Sequence, residues 1–185
     1  RLRTVTEVQT CALPIFTDHG KIRARERDHG GVYYATPDGS SITEVIYPLE
    51  SPNGIGLSPD GTMLYVAETH TGRVIEWPVE GPGVVGRPGL IGHRGNVLAG
   101  LPGMQLLDSL AVDSEGYVVV GTLVNGGLTV IAPDGSSVEH VPLPDLLVTN
   151  VCFGGEDLRT AYVTCSGTGT IHAIEWPRPG LRLNF

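Results

Sequence analysis

The sequence predicts an all-β protein of the β-propeller class, and three observations carry that expectation. First, 26 glycines and 14 prolines punctuate the 185 residues, a composition suited to many short strands joined by tight turns. Second, the chain repeats itself. GGVYYATPDGSSITEV from Gly30 is echoed by GGLTVIAPDGSSVEHV from Gly126, and RVIEWP ending at Pro78 by HAIEWP ending at Pro177. These offsets of 96 and 99 residues correspond to two units of about 48 residues each, and a repeat of 40–50 residues with four strands per unit marks a propeller blade. A β-sandwich also uses short strands but has no reason to repeat at this interval. Third, three segments share one plan: a polar residue, an alternating inner strand, a turn and a second strand. Asn53 opens the first, Asp108 the second and Thr149 the third.

The elements follow in order. Residues 1–15 carry neither turn signals nor the repeat and are expected to be an unassigned, non-native lead, with the partial propeller running over 16–185. Phe16–Asp18 reads as the end of a strand, His19–Gly30 as a polar connection and Gly31–Ala35 as a strand that turns through Thr36-Pro37-Asp38-Gly39-Ser40 into Ile42–Ile46. In Ser51–Glu68, Ile55 and Leu57 alternate with Gly54 and Gly56, Ser58-Pro59-Asp60-Gly61 turns, and Met63–Glu68 returns. Second strands are expected again at YVVVGT and AYVTCS, third strands at Arg73–Trp77, Gly127–Ile131 and Thr170–Trp176, and outer strands near Asn96–Leu98 and Val138–Val141. Asn125-Gly126 reads as a hairpin turn, because both residues tolerate positive φ. The total is about three units plus the outer half of another, an N-terminally truncated ring of three to four blades.

Composition narrows the function. The net charge is −8 with only 12 Lys and Arg, which disfavours a nucleic-acid partner. The basic run Lys21–Arg27 (KIRARER) reads as a solvated hairpin loop in preference to an anion site. No segment approaches the roughly 20 apolar residues of a membrane span, so no membrane partner is expected. Cys11, Cys152 and Cys165 are an odd set without CxxC spacing, which points to neither a disulfide framework nor a zinc site. Cys152 and Cys165 read as small core residues on paired strands. TCALPIF is too short for a signal peptide, and a reduced, cytoplasmic setting is the expectation. The six histidines show no metal spacing, and no GxSxG motif supports a covalent serine mechanism.

In a propeller the innermost strand of each blade lines the central channel, so Asn53 and Asp108 converge at one mouth although they lie far apart in sequence. An amide oxygen and a carboxylate are hard donors, suited to Ca²⁺ or Mg²⁺. The alternative is that both cap strand ends and bond loop backbone. Glu68 ends a second strand near the same mouth, where it either touches substrate or faces the loop. Thr149 holds the equivalent position of the third unit, where its hydroxyl is expected to face the channel water and to touch substrate.

SPNGIGLSPDGTMLYVAET, LDSLAVDSEGYVVVGT and TNVCFGGEDLRTAYVT together resemble the gluconolactonase family that includes regucalcin, the senescence marker protein. The resemblance implies a six-bladed propeller with one divalent cation in its channel, held by an asparagine matching Asn53, an aspartate matching Asp108 and a glutamate that has no counterpart here. Ca²⁺ is the expected ion, with Mg²⁺, Mn²⁺ or Zn²⁺ as alternatives. It implies a sugar lactone as substrate, Asp108 as general base, and a monomer at full length. Where the family has P-D-G around the aspartate, this chain has Leu107-Asp108-Ser109, and the first two blades, with a substrate-binding Arg and Asn, are missing. The function expected is metal-dependent hydrolysis of sugar lactones, incomplete in this chain. The rivals are organophosphate or phosphoester hydrolysis on the same fold, and a non-catalytic propeller that binds a ligand or protein.

Overall fold

A computed structural model describes residues 14–87 and 95–182. These residues form fifteen strands: β1 (Ile15–Asp18), β2 (Gly30–Ala35), β3 (Ile42–Leu49), β4 (Pro52–Leu57), β5 (Met63–Glu68), β6 (Arg73–Gly81), β7 (Val84–Val85), β8 (Asn96–Gly100), β9 (Leu106–Val112), β10 (Val118–Leu123), β11 (Gly127–Ile131), β12 (Val138–Pro142), β13 (Val148–Gly154), β14 (Thr160–Cys165) and β15 (Thr170–Glu175). The proposed lead falls almost wholly on residues 1–13, outside the described residues, and so does Cys11.

The strands build four antiparallel sheets in chain order: β1-β2-β3, then β4-β5-β6 with β7 and β8 both paired to β6, then β9-β10-β11-β12, then β13-β14-β15. This is the blade plan of a propeller. The second and third sheets hold complete four-strand blades. The shared hairpin sequence aligns β2 and β3 with β11 and β12, so β1 corresponds to β10, a second strand. The first sheet therefore holds three strands of a blade, one more than the outer half read from the sequence.

Tight turns set this register. In each Pro-Asp-Gly turn the glycine takes positive φ, 71° at Gly39, 71° at Gly61 and 70° at Gly135. The aspartate accepts a backbone N–H two residues on: Ser40 at 3.0 Å, Thr62 at 3.1 Å and Ser136 at 3.0 Å. Bonds from Thr36 and Ser58 hydroxyls, with the turn amides, hold the Asp38 and Asp60 carboxyls down to about 2. The repeated hairpins share this turn and then diverge. β11 and β12 pair without interruption, whereas β2 and β3 shift register twice. The Val124–Gly126 turn places Val124 (φ 72°) and Gly126 (φ 65°) in the left-handed region, so the valine rather than Asn125 carries that conformation.

The core lies between blades. Leu64 and Val66 of β5 pack with Val32, Ile46, Leu49, Ile75 and Trp77, joining the first blade to the second. Tyr65 and Ala67, on the opposite face of the same strand, join Leu107, Leu110 and Val120 of the third. Val119, Leu128 and Val130 meet Val151, Ala161, Val163 and Trp176 across the next interface. Burial on both faces is why the second strands read as unbroken apolar runs rather than as alternating ones. Trp77 and Trp176, the two ends of the repeated IEWP echo, are both buried against the preceding blade. Cys165 is buried as expected, but Cys152 is exposed: it lies on the inner strand β13 opposite Tyr162, on a face without a neighbouring core.

The segment after β15 returns to the third blade. Ser114 N–H donates to Pro179 O at 2.9 Å, and Arg178 Nε donates at 2.5 Å to Oδ2 of the fully buried Asp113. The Arg178 guanidinium also stacks 3.8 Å over the Tyr117 ring. A charge buried this deeply needs its partner, so the pair fastens the last blade to its neighbour across 65 residues of sequence.

Candidate functional site

The inner strands β4, β9 and β13 each break register at the same rung. In β4, Pro52 opposes Glu68 and Ile55 opposes Val66, so Asn53 and Gly54 share the single partner Ala67. In β9, Leu107 opposes Thr122 and Leu110 opposes Val120, leaving Asp108 and Ser109 opposite Gly121. In β13 the irregularity falls between Val148 and Asn150, on Thr149. Such bulges re-aim a side chain out of the ladder. All three sequence-predicted channel residues sit on one, and the sequence alone gave no sign of it.

Two of the three meet. Gly54 makes this approach feasible: a Cβ there would lie 2.5 Å from Leu110 N and 2.7 Å from Asp108 O, so only glycine lets β4 run this close to β9. The Thr17 hydroxyl on β1 fixes the Asn53 backbone from the other side, donating to Asn53 O at 2.7 Å. Burial pushes the Asp108 carboxyl above the usual carboxylate range, opposed by the Asn53 side chain, the Ser109 amide and the charge of His19. The result is a half-buried acid with an amide beside it, contributed by adjacent blades.

The other two candidates are held within their own loops. The Thr149 hydroxyl lies 2.9 Å from both the Thr164 and Ser166 hydroxyls. Glu68 is only 2% exposed. Its Oε1 accepts the Glu50 N–H at 2.8 Å, and its Oε2 accepts from Thr71 Oγ1 at 2.7 Å and Arg73 Nη2 at 2.8 Å. That carboxylate is engaged by the Glu50 backbone and by the Thr71 and Arg73 side chains around the mouth loops.

Sequence reasoning missed the histidines at the mouth. His19 follows β1 and His70 lies in the β5–β6 turn, and their rings meet edge to face at 5.9 Å. Burial, together with the charges of Arg27 and His19, pulls the His70 pKa below its ordinary value against the opposing charge of Glu50. Neither histidine has a metal-like spacing in the chain, so only the fold could reveal the pair. Among the described residues, no group of three or more His, Cys, Asp or Glu side chains is placed to hold a metal ion.

Residues 12–167 match the model of the SMP-30/gluconolactonase/LRE-like region. The chain belongs to that family. It is 31% identical over 130 residues to a 6-deoxy-6-sulfogluconolactonase of Pseudomonas putida, covering 69% of this chain and 43% of the relative. It is 26% identical over 145 residues to regucalcin of Oryctolagus cuniculus, covering 78% of this chain and 46% of the relative. Among solved structures, a gluconolactonase from Xanthomonas campestris aligns with TM-score 0.64 and 26% identity, over 80% of this chain and 45% of that one. A calcium-binding regucalcin from Agrobacterium tumefaciens aligns with TM-score 0.64 and 23% identity, over 85% and 58%. This family member thus spans about half the length of the curated relatives it matches, and its four sheets are blades of the family's propeller.

Proposed function

We propose that this family member, extended to the length of its relatives, hydrolyses sugar lactones at the Asn53–Asp108 mouth. The observation that supports this reading most is the pairing itself: an amide and a half-buried carboxylate, from equivalent bulges of adjacent blades, in a family whose members include lactonases. Asp108 takes the proton of a water molecule as that water attacks the lactone carbonyl, and returns it to the ring oxygen as the carbon–oxygen bond of the ring breaks. Burial suits Asp108 to this task, because a carboxylate with a raised pKa is a stronger base than an exposed one. Asn53 orients the acid, and Gly54 fixes their separation.

The oxygen donors Asn53 and Asp108 suit a hard divalent cation such as Ca²⁺, and a carboxylate whose charge is disfavoured by burial is an environment that such an ion relieves. When bound, the ion supplies Lewis acidity toward the carbonyl oxygen.

The test uses the protein at its relatives' full length, assayed on glucono-δ-lactone across a Ca²⁺ titration. Asn53→Ala is expected to weaken cation affinity and to recover with excess Ca²⁺, because water can replace one neutral oxygen. Asp108→Asn is expected to lose about 10²–10⁴-fold in kcat at every Ca²⁺ concentration, because no ion replaces a proton acceptor. Near-full turnover of Asp108→Asn at saturating Ca²⁺ would reduce Asp108 to a ligand and remove the proposed base.

A further inference from the structure

Positive charge is concentrated in one place in this acidic chain. Four of its 12 Lys and Arg (Lys21, Arg23, Arg25, Arg27) fall between His19 and His29, although the net charge is −8. The segment folds as a hairpin: Ile22 bridges Arg27, Arg23 N–H donates to Glu26 O at 2.8 Å, and Asp28 N–H donates to Lys21 O at 3.0 Å.

Both feet of this hairpin stand at the mouth. His19 packs against His70 and its charge acts on Asp108. On the returning side, Arg27 Nη2 reaches Glu50 Oε2 at 2.7 Å and His29 Nδ1 reaches Glu50 Oε1 at 3.2 Å, three residues before Asn53. The acids here are already engaged. Asp28 takes Arg23 in a two-pronged pair at 2.5 and 2.9 Å, Glu26 stands 4.0 Å from the same guanidinium, and Glu50 is held by Arg27 and His29. Lys21 and Arg25 are exposed and have no acidic partner among the described residues.

We propose that the 19–29 hairpin reads an anionic substituent on the substrate. Lys21 and Arg25 would bind a terminal phosphate or sulfonate on a sugar lactone whose carbonyl lies at Asp108. This rests on the lactonase reading above and names its substrate class. The physical need is plain: Asp108 repels an anionic substrate, and a cationic rim offsets that repulsion while raising the local concentration of such a substrate. Arg25 suits the trigonal face of a phosphate or sulfonate by offering two parallel N–H donors.

The experiment compares 6-phosphogluconolactone with neutral glucono-δ-lactone on the protein at its relatives' full length, before and after the double change Lys21→Ala and Arg25→Ala. In parallel, calorimetry follows binding of the open-chain products 6-phosphogluconate and gluconate. The proposal expects kcat/KM to favour the phosphorylated lactone by about tenfold or more at low salt, through KM, and expects salt to erode that preference. The double variant should reduce the ratio about tenfold and weaken 6-phosphogluconate binding. Hydrolysis of both lactones with equal KM, or a preference that survives the double variant, overturns the rim and leaves the lactonase reading intact. If neither lactone is hydrolysed but 6-phosphogluconate binds through Lys21 and Arg25, the rim stands and the lactonase reading falls.

Discussion

At the scale of single residues, Asp108 shows how a partly buried acid weighs on its own scaffold. Its carboxyl is held above the usual range mainly by burial, so the folded state binds the proton more tightly than the unfolded chain does. A carboxyl shifted this way detracts from stability as pH rises above the ordinary value of 3.8. Asp108→Asn should therefore raise the thermal midpoint at pH 7, measured with chelator present. The gain should vanish as pH falls below the ordinary carboxylate range, where both states are protonated. An unchanged or lowered midpoint at pH 7 would mean that neighbours compensate the buried charge fully. The same change is expected to lower turnover about 10²–10⁴-fold, so stability and activity should move in opposite directions at this position.

At the scale of elements, the bulged rungs decide what the inner strands can do. Gly54→Ala places a methyl group against backbone atoms of β9 at 2.5–2.8 Å, with no flexible side chain to move aside. Overpacking of this kind should destabilise the chain by about 2 kcal/mol or more, read as a lower denaturation midpoint. It should also separate Asn53 from Asp108. Much of this architecture was legible in advance: the Pro-Asp-Gly turns, the two-faced apolar second strands and the 48-residue repeat each leave a local signature, and lining up the repeats was enough to choose Asn53 and Asp108. The register breaks were not legible, since a bulge is a relation between two strands and Asn53-Gly54 reads the same with or without one. The His19–His70 contact and the Asp113–Arg178 pair were hidden for a similar reason. Both join positions outside strands β1–β15, across 51 and 65 residues, where no periodicity points from one to the other.

At the scale of the whole molecule, four blades bury their cores at three interfaces, and among the described residues the last sheet keeps one open edge. β15 pairs with β14 on one side and with no strand on the other, and its Ile171 is 69% exposed. An exposed strand with unpaired backbone groups templates association, so the chain alone should self-associate at micromolar concentration. Ile171→Lys should shift sedimentation velocity profiles toward monomer. A monodisperse wild-type monomer with a cooperative thermal transition would contradict this expectation. The bulges have a further consequence at this scale. Two residues on a bulge share one rung of the partner strand, so β4, β9 and β13 each offer one socket whose contents are less tied to the ladder than their neighbours. This chain already displays three fillings of that socket, an amide at Asn53, a carboxylate at Asp108 and a hydroxyl at Thr149. A ring built this way can drift from one chemistry to another by single substitutions, one blade at a time.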